Sequence, residues 1–168
     1  ENWNMLNNSI DRPLNNRALR GVYPPGSTFK PFMALAALEL GKRTPEYSMA
    51  DPGFFSLPGV KHRFRDWKPG GHGRVNLHKS LVVSCDTFYY SLGNDLGIDN
   101  MHNFIGQFGL GKKTGIDVEN EVSGLLPSSA WKMAQHKQKW YAGDTISAAI
   151  GQGYNLTTPL QLAFATMM

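Results

Sequence analysis

Ser27 and Lys30 lie three residues apart in YPPGSTFKPFMALAALELG, residues 23–41, directly after a Pro-Pro-Gly turn. A hydroxyl and an amine at that spacing share one face of a helix, about 5–6 Å apart at Cβ. At a helix mouth the free amides and the dipole favour developing negative charge. Apolar surroundings disfavour the Lys30 ammonium and make the neutral amine available as a base. The pair therefore matches a serine nucleophile carrying its own base one turn away. The same two residues also suit a Ser N-cap beside a Lys that snorkels to water, so the pair alone decides nothing. A second hydroxyl triplet, Ser84-Cys85-Asp86, follows HKSLVV and precedes DTFYYSLGNDLGI.

Cys85 is the only cysteine, so no intrachain disulfide can form. It reads either as a small buried thiol or as a metal ligand. The metal reading draws on the upstream loop, with Asp51 in ADPG, Asp66 in RDWK and His72 in GGHG. Two carboxylates, an imidazole and a thiolate make a four-ligand set suited to a structural Zn²⁺. Gly70, Gly71 and Gly73 would let the backbone bend His72 toward such a centre. His62 and His78 are the alternative imidazoles. The spacing matches no standard finger pattern. Acyl transfer by a Ser-Lys pair needs no metal, so no cofactor is expected for catalysis itself.

These residues need elements to hold them. The pattern predicts a helix over Ser27 to Leu40, with Pro31 in its first turn and Gly41 as its stop. It is apolar on nearly every side, as a buried central helix is. Residues 44–75 read as a long loop with short extended pieces. Further helices are predicted near Asn76 to Val83, Asp86 to Leu96 and Asn100 to Phe108. Later ones begin at Ser128, near Thr145 and after Thr158-Pro159. Residues 1–22 are Asn-rich and weakly patterned. Helices should dominate.

With 168 residues, 41% apolar and 18% charged, the chain has enough material for one core and is not disordered. Its net charge of +4 favours anionic partners such as nucleic acid, anionic lipid or carboxylate-bearing polymers. The basic residues are dispersed, as around Lys61 to Lys68, without an aromatic-interleaved nucleic-acid motif. Each such cluster reads as solvated surface, and no nucleic-acid partner is expected. No run of about 18 apolar residues marks a membrane span. The polar start and the apolar helical end suggest a piece of a longer protein.

The segments RGVYPPGSTFKP, DPGFFSLPG, RFRDWKPGGHGRVN, SCDTFYY, FGLGKKTGID and WYAGDTISAAIGQGYNLTTPLQLA cover almost the whole chain. Ser-x-x-K followed by a Ser-x-Asn-type triplet is the signature of penicillin-binding proteins and serine β-lactamases. The chain resembles the transpeptidase domain of class B penicillin-binding proteins, most closely the elongation-specific PBP2 branch. Asp86, where many relatives have Asn, fits that branch. The resemblance implies an α+β fold, with helices packed on an antiparallel sheet most of which lies outside these residues. Residues 1–168 would be part of a single transpeptidase domain.

It also implies a two-step acyl transfer on D-Ala-D-Ala stem peptides. Ser27 would be the nucleophile and Lys30 its base. Ser84 would relay protons, and Asp86 would orient Lys30 and substrate. β-Lactams would acylate the same serine. The implied setting is the periplasmic face of the inner membrane, through a single-pass N-terminal anchor absent here. A glycan-polymerising glycosyltransferase and elongation-machinery proteins would be partners. The alternatives within the superfamily are a serine β-lactamase, a D-Ala-D-Ala carboxypeptidase and a non-catalytic penicillin-binding sensor. Lys113-Thr114-Gly115 spells the family's third motif but precedes the GQG segment, so it reads as a turn; the true strand would follow Met168. GQFGLGKK has Lys113 where a phosphate-binding loop needs Ser or Thr.

Overall fold

The apolar run after Ser27 forms the helix on which the other elements pack. The computed structural model describes residues 2–168. Its helices are α1 (Asn2–Asn8), α2 (Arg17–Arg20), α3 (Lys30–Glu39), α4 (Leu77–Val82), α5 (Asp86–Leu96), α6 (Ile98–Ile105), α7 (Ser129–His136), α8 (Ala142–Ala148) and α9 (Pro159–Met167). Strands β1 (Ser48–Asp51) and β4 (Gly73–Asn76) pair antiparallel, as do β2 (Phe54–Ser56) and β3 (Arg63–Arg65). The loop predicted over 44–75 is thus organised as two small two-stranded sheets. Helices dominate, and each sheet among the described residues has only two strands.

Two expectations for the central helix change. Ser27 is not in an α-helix: Gly26–Phe29 form a 3₁₀ turn, and α3 begins at Lys30. Tighter winding is common at helix entries because it satisfies amides that lack an i−4 partner. The helix is also not buried all round. Phe32, Met33, Ala34, Ala36 and Ala37 are buried, whereas Pro31, Leu35 and Leu38 face outward. Small alanines on the inner face let α5 and α6 approach closely. Phe88, Tyr89 and Leu92 of α5 and Met101 and Ile105 of α6 complete that core.

The predicted caps form. Ser128 accepts from the Trp131 amide, and Thr158 with Gln161 makes a reciprocal capping box at α9. Helix α8 starts at Ala142, earlier than the pattern near Thr145 indicated. Residues 1–22, weakly patterned in sequence, contain two short helices. The GQG segment runs beside the turn that carries Ser27. The amide of Gly26 donates to the Gly151 carbonyl at 2.9 Å, and Tyr23 exchanges backbone bonds with Thr157. Gly151 has φ +69°, and a Cβ there would lie 2.4 Å from the Gly26 carbonyl oxygen. Only glycine tolerates both conditions.

Candidate active site

Lys30 is the hub of the site. Its side chain is 2% exposed, so its ammonium must find partners inside the protein. It donates to the Asp86 carboxylate at 2.6 Å, the Ser84 carbonyl at 2.8 Å and the Ser84 hydroxyl at 3.0 Å. An ammonium has three donors, and all three are used. The Tyr89 ring lies beneath, its centroid 5.5 Å from Nζ. The Ser84 hydroxyl then meets the Ser27 hydroxyl at 2.9 Å. Ser27 itself is exposed at the surface end of this chain of contacts.

The structure therefore brings Ser27, Lys30, Ser84 and Asp86 together, with one difference from the sequence expectation. Lys30 does not bond to Ser27 directly. Ser84 stands between them, because the buried ammonium is drawn toward the carboxylate and carbonyl at the start of α5. Ser84 adopts φ +51°, an unfavourable conformation for a residue with a Cβ. The junction between α4 and α5 imposes it: the Ser84 amide bonds the Leu81 carbonyl and the Cys85 amide bonds the Ser80 carbonyl. The left-handed turn aims both the carbonyl and the hydroxyl of Ser84 at Lys30.

Directly behind this junction lie the four metal candidates. One donor atom from each of Asp51, Asp66, His72 and Cys85 falls within 4.8 Å of the others. Asp51 ends β1, Asp66 follows β3, His72 precedes β4 and Cys85 caps α5 through its sulfur. The His72 Nδ1 is 2.8 Å from Asp51 and 3.6 Å from Asp66, and the Cys85 sulfur is 3.4 Å from Asp51. His62 and His78 stay outside the group. Gly71 makes the bend before His72 feasible, since a Cβ there would lie 2.1 Å from the Asp51 carbonyl oxygen.

Burial pushes the Asp51 carboxyl up, yet bonds from the Gly53 and His72 amides and the His72 ring outweigh it and hold the group at about 2. Burial pushes the Cys85 thiol up, and the charges of Asp51 and Asp66 add to that, against the Phe88 amide. The Nε2 of His72 is buried without a hydrogen-bond partner. A divalent cation would compensate two buried carboxylates that stand beside a thiol with only an imidazole to offset them. The mixed N/S/O donor set fits Zn²⁺.

Three further contributors were not legible in the sequence: the Tyr89 ring under Lys30, the Gly151 contact behind Ser27, and Trp67. The indole of Trp67 donates to the Val83 carbonyl and packs on His72, tying the His72 loop to the Ser84 junction. Only the helical register of α5 could have flagged Tyr89, which lies three residues after Asp86. Lys113-Thr114-Gly115 is irregular backbone rather than a strand, and its Thr114 and Gly115 amides are held by Glu121.

Residues 2–168 match the family described as penicillin binding protein transpeptidase domain. The chain belongs to the penicillin-binding protein transpeptidase family. It is 52% identical over 166 residues to the peptidoglycan D,D-transpeptidase MrdA of Acinetobacter baumannii, covering 99% of this chain and 25% of that protein. Pseudomonas aeruginosa PBP2 in complex with WCK 5153 superposes with a TM-score of 0.95 at 47% identity, covering 98% of this chain and 38% of that one. The PBP2 of a Helicobacter pylori PBP2–MreC complex gives 0.90 at 40% identity, covering 96% and 30%. The chain thus spans about a quarter of the length of this curated transpeptidase. Its α+β penicillin-binding transpeptidase fold is represented here by the helical part and two small sheets.

Proposed function

We propose that this chain carries the nucleophile side of a peptidoglycan D,D-transpeptidase, as part of one transpeptidase domain. The observation that carries the reading is the continuous path Lys30–Ser84–Ser27 with Asp86 anchoring its inner end. The Ser27 hydroxyl attacks the carbonyl carbon of the penultimate D-Ala of a stem peptide. Once Lys30 has given up one ammonium proton, the Ser27 proton passes to Ser84 and that of Ser84 to the Lys30 amine. The bond to the terminal D-Ala breaks, and that amine leaves with a proton returned along the same path. The Ser27 ester is then attacked by an amine of a neighbouring stem, which forms the cross-link and restores the hydroxyl. The Ser27 amide supplies one oxyanion donor. Asp86 orients Lys30.

Asp51, Asp66, His72 and Cys85 would hold a structural Zn²⁺. Bound there, the ion joins both small sheets to the start of α5 without entering the acyl transfer. The peptidoglycan D,D-transpeptidase relative supports a role in cell-wall synthesis; the resemblance to the PBP2 branch further implies cell elongation and shape, at the periplasmic face of the inner membrane through an N-terminal anchor. The MreC complex of the H. pylori relative supports elongation-machinery partners; a glycosyltransferase partner is what the family resemblance implies. β-Lactams acylate Ser27 because their strained amide resembles D-Ala-D-Ala. Labelled penicillin should mark Ser27 in the intact protein, as read by peptide mass spectrometry. Labelling that survives Ser27→Ala would sink the assignment.

A further inference from the structure

The β2–β3 hairpin displays a row of cations that the acyl-transfer chemistry does not use. Residues 52–65, PGFFSLPGVKHRFR, contain no acidic side chain. The carboxylates at either end of this stretch, Asp51 and Asp66, are buried in the metal group. Lys61, Arg63 and Arg65 are exposed and make no ion pair among the described residues. With His62, Phe64 and Tyr90 they line an open groove of about 590 Å³.

This groove is built on fixed supports rather than on a loose loop. Strand alternation puts Arg63 and Arg65 on one face of the hairpin and Phe64 on the other. Phe55 and Phe64 pack on the small core of Leu57, Tyr90 and Ile146. The Tyr90 hydroxyl donates to the Arg65 carbonyl at 3.2 Å. The Arg63 guanidinium is held 4.4 Å from the Phe54 ring centroid. The groove also adjoins the site: Tyr90 stands one helical turn after Asp86 on α5, so the two side chains are neighbours on one face.

We infer that this groove holds the carboxylate-bearing peptide of a cell-wall strand beside the Ser27 site, a contact separate from the acylated D-Ala-D-Ala end. The inference rests on the transpeptidase reading. A row of unpaired guanidinium and ammonium groups suits carboxylates spaced along an extended peptide, and guanidinium engages them bidentately. The Phe54 ring, on the same face as Arg63 and Arg65, offers apolar contact beside the charges. An anionic lipid surface would present the same sign of charge, but cations in line along one strand suit an extended peptide better than a plane.

The test uses the intact protein and the variant Lys61→Gln/Arg65→Gln, which leaves the Arg63 stacking in place. Binding is measured to uncross-linked glycan strands with intact stem peptides, to the same strands after carboxyl amidation, and to phosphatidylglycerol vesicles. Penicillin acylation rates are measured on the same preparations. The variant should bind intact strands about fivefold or more weakly, because each exposed charge contact is worth a factor of about two to five. It should show a shallower salt dependence and acylate at the parent rate. Equal strand binding by parent and variant, or undiminished binding of amidated strands, overturns the inference. Tighter binding to vesicles that the variant loses assigns the groove to lipid and also overturns it. Failure of the transpeptidase reading looks different: neither protein would acylate at Ser27. A variant that has lost its fold is recognised by lost acylation, and Arg65→Gln alone then replaces it with a reduction of about twofold or more.

Discussion

At the scale of single residues, the buried ammonium of Lys30 governs the site. Its three donors are taken by Ser84 and Asp86, so any base action on Ser27 passes through the Ser84 hydroxyl. Replacing Lys30 with Met removes the proton acceptor and leaves Asp86 unpaired. Penicillin acylation should then fall by roughly 10²–10⁴-fold in stopped-flow kinetics, the range for losing a general base. Ser84→Ala should produce a loss of the same order, whereas a direct Lys30–Ser27 transfer predicts near-parent rates for that variant. Cys85 is a second residue whose chemistry its surroundings dictate. Its sulfur is fully buried, and burial with two nearby carboxylates keeps the thiol protonated when no cation is bound. A neutral-pH thiol reagent should therefore react with the native protein at least tenfold more slowly than with the denatured chain. Comparable rates would contradict the packing described.

At the scale of elements, short contacts between backbones position the nucleophile. Gly151 presses against Gly26 and Phe29, so Gly151→Ala introduces a clash together with strain at φ +69°. A left-handed Ala costs about 1–2 kcal/mol before the clash is counted. The transpeptidase domain should lose several degrees of Tm, with slowed acylation although no reacting group is changed. The turn over residues 112–121 depends instead on charge. Burial pushes the Glu121 carboxyl up, but bonds from Thr114 and Gly115 prevail and its folded value lies below the ordinary carboxylate range. Its ionised form is thus favoured by folding. That stabilisation is present above the unfolded value near 4.3 and is lost as pH falls through the lower folded value. Hydrogen exchange at the Thr114 and Gly115 amides should accelerate in that acid window after correction for intrinsic rates. Glu121→Gln should abolish the pH dependence; if it persists unchanged, another group controls the turn.

At the scale of the whole molecule, the four metal candidates come from both small sheets and the α4–α5 junction. Asp51 and His72 belong to the β1–β4 sheet, Asp66 to the end of β3, and Cys85 to the α4–α5 junction that also carries Ser84 and Asp86. Removing a bound Zn²⁺ should lower the Tm of the domain by about 5 °C or more, because clustered buried anions lose their compensation. Elemental assay of chelator-free protein checks occupancy, and Zn²⁺ but not Mg²⁺ should restore the lost Tm. An absence of zinc together with an unchanged Tm would remove the metal from the description. The sequence by itself determined the residue types at the site, the family through its spaced motifs, and the helices from Asn76 onward, since caps and apolar period are local properties. Candidate ligands from four separate segments were also legible, because few side-chain types bind zinc. Only the tertiary structure decided that Ser84 stands between Lys30 and Ser27, that the nucleophile rides a 3₁₀ turn, and that α3 keeps an outward apolar face. Each of those depends on where distant chain segments meet: a buried ammonium chooses its partners by distance in space, and residues 30 and 86 become neighbours only when α3 and α5 pack.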